Sequence, residues 1–345
     1  EDRSTQPGTQ VSVAEAAPGP VAAPSEAARD FSSEYTTPLA DLVASLGVSL
    51  LVSTYQSGHL IVVRHDGRGL NTHFERHEKP MGMAADRQRL VIGTRRELRE
   101  YYNVPALGAR IAATPRRDAV YALRNVHVTG DIDVHEIAIG SAGVWYVNTL
   151  FSCLCLLEPN YSFNPAWRPP FVSGYAPEDR CHLNGLALVD GEPRWLTALG
   201  TTDTPQGWRA NKRDGGVLLH HPSGDVVVGG LSMPHSPRWH GGRLWLLESG
   251  KGALCTVDIR RGEVTEVVRV PGFTRGLDFA GDYAFIGLSQ LREANAFKDI
   301  PVTEAGGDRA CGVWVVHLPS GRVAGWLRFR GRVQEIFAVQ ALPAI

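Results

Sequence analysis

Three things are scarce in these 345 residues: an excess of either charge, paired cysteines and long apolar runs. Lys and Arg number 35 against 36 Asp and Glu. A chain this close to neutral has no sequence-independent electrostatic grip on nucleic acid or on a membrane surface, and neither partner is expected. The five cysteines, Cys153, Cys155, Cys181, Cys255 and Cys311, show no CxxC spacing. Their odd number and scatter argue against a disulfide framework or a cysteine zinc cage, and they read as small buried hydrophobes in a reducing, cytoplasmic compartment. No apolar run reaches the roughly 20 residues of a spanning helix. The longest candidate, LVASLGVSLLVSTY (42–55), is broken by polar residues and Gly47. A soluble protein is expected, and its 43% hydrophobic content suffices for one large core or two modest ones.

Large apolar side chains are also missing from the first thirty residues, EDRSTQPGTQVSVAEAAPGPVAAPSEAARD. Such a stretch cannot offset its own ordering entropy, so residues 1–35 are expected to form a disordered tail or linker. Without the apolar segment of a signal peptide, it would serve as a tether to a partner domain or be a remnant of processing. A helix is predicted over TPLADLVASLG (37–47), with Thr37 as N-cap, Pro38 in the first turn and Gly47 closing it.

What is abundant is short β-rich runs bounded by Gly, Asp, Pro and Ser, such as LLVSTYQSGHLIVVRHDG, GVWYVNTLFSCLCLLEP and GVWVVHLPSGRVAGWLRF. They follow one another without βαβ alternation, which predicts consecutive antiparallel hairpins in an all-β domain over 36–345. A loose repeat recurs every 40 to 60 residues, opening at PMGMAA (80–85), VHEIAI (134–139), HLNGLAL (182–188), HSPRW (235–239), TRGLDF (274–279) and VQEIFAV (333–339). Six openings predict a six-bladed β-propeller. The last opening has no outer strands of its own, and the N-terminal run 50–64 has strands without an opening. Joining the two in one blade closes the ring and removes its exposed edge. Seven blades follow instead if ARIAATPRRDAVYALRNVHV (109–128) forms a unit of its own.

In a propeller the innermost strand of each blade lines the central channel, so the first residues of every repeat converge at its mouth. This register places His135, His182 and His235 there, on three consecutive blades, with Met81, Arg275 and Gln334 on the others. Three imidazoles about one axis match the ligand set of a catalytic metal with an open position, and the nearby Glu136 and Glu335 would then act as orienting acceptors or acid–base groups. Any one of the histidines alone is explained by a satisfied polar residue in a wet channel. Two long insertions, 160–180 and 200–216, carry Tyr175, Arg180, Trp208 and Arg209, which with Asn184 are the candidate substrate-binding residues; Arg275 is positioned to engage an anionic substrate group.

The stretches DIDVHEI, NTLFSCL, YSFNPAWRPPFVS, PEDRCHLNGLAL, TDTPQGWRANKRDGG, SMPHSPRWH, PGFTRGL and VQEIFAVQALP together resemble a bacterial family of conserved hypothetical proteins, whose members are sometimes attached to tetratricopeptide-repeat or sulfotransferase segments. The resemblance spans about residues 45 to 343. It implies a propeller but names no reaction. Members often carry an acidic residue where Ala338 stands and an aromatic one where Ile139 stands, which speaks against essential chemistry at those two positions.

Three histidines without a carboxylate ligand suit iron(II) or copper for oxygen chemistry and zinc for lysis or hydrolysis. The expected function is a metal-dependent oxygenase or hydroxylase of iron type, acting on a small molecule or peptide. The alternatives are a zinc lyase or hydrolase, and a non-catalytic propeller that binds a protein or carbohydrate. A Cys181–His182 nucleophile is disfavoured because adjacent strand residues face opposite ways. Paired-carboxylate chemistry would require Glu136 and Glu335 to meet across the channel.

Overall fold

The computed structural model describes residues 30–108, 110–111, 118–291, 298–306 and 309–344. The tail expected over residues 1–29 lies outside the described residues. The rest forms six antiparallel sheets arranged as the blades of a propeller. Blade one holds strands Met83–Ala85, Arg89–Gly93, Glu97–Asn103 and Tyr121–Val128, so the described part of the 109–128 stretch supplies an outer strand of this blade and not a seventh blade. Blade two runs from Val134–Gly140 to Asn164–Trp167, blade three from Leu183–Val189 to Val226–Leu231, and blade four from Pro234–His240 to Glu263–Arg269. Blade five runs from Phe273–Ala280 to Arg322–Phe329.

Blade six is the closure. Its innermost strand, Ala338–Pro343, pairs with Val48–Thr54 in a register that sets Ser53 against Ala338 and Val48 against Pro343. His59–His65 and Leu70–Arg76 complete the sheet. Sequence patterns follow position: Val48–Thr54 is buried almost throughout because blades cover both its faces, whereas Leu70–Arg76 alternates between half-buried and exposed.

Residues Ser33–Tyr35 lie within the expected tail but are ordered, adding a fifth strand to the edge of blade five opposite Leu327–Phe329. The helix spans Thr37–Leu46 and ends at Gly47 in the left-handed region (φ 59°). Its N-cap is Thr36, one residue earlier than predicted, and the Thr36 hydroxyl accepts from the Trp326 backbone N–H (3.1 Å) instead of capping the helix. The helix is thereby docked on blade five. Among the described residues no helix is long and apolar enough to cross a membrane.

The hydrophobic core is divided among the blade interfaces. One cluster joins blades two and three through Val147, Leu154, Leu183 and Leu196, and another joins four and five through Leu247, Leu254, Ile286 and Val316. Polar ties cross from blade to blade near the start of the inner strands. Ser53 Oγ donates to the Met81 carbonyl (2.6 Å), Thr149 Oγ1 to Leu183 (2.6 Å) and Asn184 Nδ2 to Pro234 (3.0 Å). Ser236 Oγ accepts from Gly276 N–H (3.1 Å), and Ser289 Oγ accepts from Ile336 N–H (2.9 Å). Each tie bonds a backbone group of a neighbouring blade. The inner strands approach so closely that a Cβ on Gly276 (φ 82°) would stand 2.6 Å from the Val339 nitrogen, and one on Gly82 would stand 2.6 Å from the His135 carbonyl oxygen. The channel mouth is therefore a rigid ring.

Candidate functional site

A cavity of about 190 Å³ opens at the channel mouth. All three predicted histidines line it, together with Tyr55, Lys79, Met81, Asp133, Leu199, Trp208, Arg209, Met233, Phe273, Arg275 and Phe337. Several residues that aim side chains into it hold left-handed backbone, among them Lys79 (φ 52°), Asp133 (57°), His182 (49°) and Met233 (46°), with Asp179 (49°) just behind. Non-glycine residues in this region cost on the order of 1–3 kcal/mol each and persist where the surroundings hold them. Here they turn the chain sharply as it enters the inner strands.

The three imidazoles share one arrangement. His135 Nδ1 lies 3.0 Å from the Asp133 carbonyl, and His235 Nδ1 lies 2.9 Å from the Met233 carbonyl and 3.0 Å from Ser249 Oγ. His182 Nδ1 lies 2.9 and 3.1 Å from the two carboxylate oxygens of Asp179. A carbonyl or carboxylate oxygen only accepts, so Nδ1 of each ring carries a proton, and in the neutral form the Nε2 lone pair is left over. None of the three Nε2 atoms has a hydrogen-bond partner among the described residues. Burial, reinforced by the Arg275 charge, holds His235 well below its ordinary pKa. Burial also depresses His135, outweighing the pull of Asp133 in the opposite direction. Both rings are neutral at physiological pH.

The rings are not equally close. His135 and His182 meet edge to face with centroids 4.7 Å apart, whereas His235 packs against Phe273 at 5.7 Å. Among the described residues no group of three or more His, Cys, Asp or Glu side chains is arranged to hold a metal ion as it stands. The predicted trio is thus gathered into one cavity, as two touching rings and a third beside Phe273.

Of the other predicted residues, Trp208, Arg209 and Arg275 line the cavity. Trp208 is carried on a short 3-10 helix, Gly207–Asn211, in the second insertion; it donates from Nε1 to Asp179 Oδ2 (2.9 Å) and packs on His182 at 4.5 Å. Arg209 lies over the Trp208 ring at 4.4 Å, on the exposed rim. The Arg275 guanidinium lies 3.6 Å from the centre of the Phe337 ring, and burial lowers its pKa to about 10, so it remains charged.

The remaining candidates are drawn elsewhere. Glu136 turns away from the cavity and forms a bidentate pair with Arg238 (3.0 and 3.1 Å), because it neighbours His135 in a strand and so points to the other side. Glu335 is hydrogen-bonded to the Tyr55 hydroxyl, and burial raises its pKa. The two carboxylates are engaged separately and form no catalytic pair. Asn184 is buried in the tie to Pro234 and accepts from Thr197 Oγ1 (2.6 Å), which makes it a structural link between blades, not a substrate ligand. Arg180 binds Glu178 (2.7 Å) and Asp203 (2.7 Å) and braces the two insertions against each other. Tyr175 is half exposed beside Arg168 and lies outside the cavity lining.

Sequence reasoning missed Asp179, which clamps both His182 and Trp208, and Asp133, which pairs with Lys79 (2.9 Å) at the cavity wall. The signals were present as DxxH at 179–182 and DxH at 133–135. Cys181 is buried in the core between blades two and three with its thiol pushed up to about 12 by burial, which leaves it no nucleophilic role.

The fold and this cavity define the class: a six-bladed β-propeller with a histidine-lined site at one end of its channel. The chain belongs to the family described as "Domain of unknown function (DUF4915)", whose model matches residues 37–345. No curated protein matches it. Among solved structures it is similar to a protein of unknown function from Bacteroides caccae, at 10% identity and a TM-score of 0.54, covering 86% of this chain and 98% of that one. It is also similar to a chain of a Nidogen/Laminin complex, at 9% identity and a TM-score of 0.51, covering 87% and 99%. At such identities the likeness is one of fold alone.

Proposed function

We propose that this propeller is a metal-dependent enzyme whose working groups are the Nε2 atoms of His135, His182 and His235, acting on a small molecule at the channel mouth in a reducing, cytoplasmic setting. The observation that carries this reading is the shared commitment of Nδ1. Metal-binding histidines donate their other ring N–H to a carboxylate or carbonyl, which fixes the tautomer and aims the free lone pair. Here three rings from three blades do so around one cavity. An all-imidazole set suits iron(II), copper or zinc, and such an ion would supply Lewis-acid or oxygen chemistry at an open coordination position. The protein's own residues bind the substrate, exclude water and hold the rings in place.

The test is metal content after metal-replete expression. One equivalent of a transition metal that is lost in His182→Ala and kept in His317→Ala, a histidine paired with Ser320 on blade five, supports the reading. Only traces of metal in the parent protein would refute it.

A second reading is favoured by the present ring spacing and by the 2.9 Å Asp179–His182 contact. In it, His182 acts without metal as a general base oriented by Asp179. It predicts activity that survives exhaustive chelation.

A further inference from the structure

We infer that the ligand of the channel mouth is a small amphipathic monocarboxylate whose carboxylate is held by Arg275. This deepens the reading of the mouth as the working site but does not require a metal ion.

The charges in the cavity wall carry the argument. Lys79 is matched by Asp133 at 2.9 Å, and Arg209 sits at the exposed rim. Arg275 brings a charge to the interior of the site that Asp133 and Glu136 offset only at a distance, without a direct ion pair among the described residues. No carboxylate of the described residues lies within ion-pairing distance of it, and its one contact of this kind is the face of Phe337. Withdrawing a guanidinium from water without a direct acceptor is costly. Its Cζ sits 3.6 Å over the Phe337 ring and its N–H groups have no hydrogen-bond partner among the described residues, so they can capture a planar carboxylate bidentately.

The same wall argues for one negative charge and no more. A phosphate would set surplus acceptor oxygens against three imidazole nitrogens that themselves present lone pairs. Beyond the carboxylate, the ligand meets Met81, Leu199, Met233, Phe273 and Trp208, an apolar lining. The volume of about 190 Å³ is below the roughly 300–1,000 Å³ of pockets for drug-sized ligands, so the molecule is small.

The experiment uses metal-free protein, so that binding is judged apart from metal uptake. Benzoate, phenylacetate and hexanoate are titrated by calorimetry, with benzyl alcohol and inorganic phosphate as controls. At least one of the three carboxylates is expected to bind, with benzyl alcohol and phosphate weaker by about tenfold or more. Arg275→Gln should lose about tenfold or more of that affinity, in line with loss of a charge-assisted pair, and Arg275→Lys should recover part of it. Circular dichroism and a cooperative thermal transition establish that both variants fold. The inference is overturned if none of the three carboxylates binds, if a control binds as tightly as the best of them, or if folded Arg275→Gln retains the parent affinity. Carboxylate binding by a protein that takes up no metal would sustain it while removing the metal reading.

Discussion

Replacing Asp179 by Asn tests the arrangement of the site most directly, because it changes one atom of a carboxylate that serves two donors. Asp179 receives His182 Nδ1–H at 2.9 and 3.1 Å and Trp208 Nε1–H at 2.9 Å. Trp208 only donates, so an asparagine oxygen must go to Trp208. The amide NH2 then takes the position 2.9 Å from His182 Nδ1 and is satisfied when that nitrogen becomes the acceptor, in competition with the asparagine oxygen 3.1 Å from the same nitrogen. Where the amide wins, the ring proton moves to Nε2 and occupies the lone pair that any metal or substrate proton would use. Loss of a charge-assisted hydrogen bond costs about 1.5–3 kcal/mol, and loss of the partner behind a metal-bound histidine costs about 10–100-fold in metal affinity. The two figures agree, since tenfold is about 1.4 kcal/mol. The variant should therefore bind cobalt(II) or zinc(II) about 10–100-fold more weakly than the parent. Long-range nitrogen–proton NMR correlations should show the His182 proton on Nε2. The reasoning fails if the folded variant keeps both the parent tautomer and the parent metal affinity.

Two further predictions concern stability. Arg238→Met leaves Glu136, with a side chain only 5% exposed, as a buried carboxylate without its hydrogen-bonded partner. It should lower unfolding free energy by about 3–5 kcal/mol, with most of the loss regained in the double variant Glu136→Leu/Arg238→Met. Denaturant melts measure both, and a single-variant loss under about 1 kcal/mol would place the pair with exposed ion pairs. The pH dependence follows from His135 and His235, whose native pKa values burial lowers from the usual 6.5. Unfolded imidazoles bind protons below about 6.5 while the native ones do not, so stability falls with pH by up to about 1.4 kcal/mol per unit for each ring. Glu136 and Asp278, raised by burial, tilt the other way at lower pH, so the comparison with His135→Gln/His235→Gln is decisive. The variant's slope should be the shallower between pH 6.5 and 5.5, and equal slopes would refute the assignment.

The ring of openings was legible because the start of each repeat recurs at a spacing of 40 to 60 residues, ahead of a turn and an apolar second strand. That periodicity located His135, His182 and His235 at one cavity, and the unmatched strands at the two ends announced the shared blade. Glu136 was misplaced although the strand rule that separates Cys181 from His182 also separates His135 from Glu136. Asn184 and Arg180 were misplaced for a different reason. Each has polar chemistry suited to a ligand, and only the packing of neighbouring blades and loops shows that protein groups already occupy it.

The sequence by itself determined the all-β architecture, the count of six blades and which histidines approach the channel, since local alternation and repeat spacing depend only on residues near one another in the chain. Tertiary structure alone decided that Asp179 rather than Glu136 orients a site histidine, that His135 and His182 touch while His235 packs on Phe273, and that Arg275 has no direct ion pair among the described residues. Those outcomes turn on side-chain distances of a few ångströms between different blades and the loops that join them. They are set by how the six sheets close against one another, and no spacing along the chain encodes them.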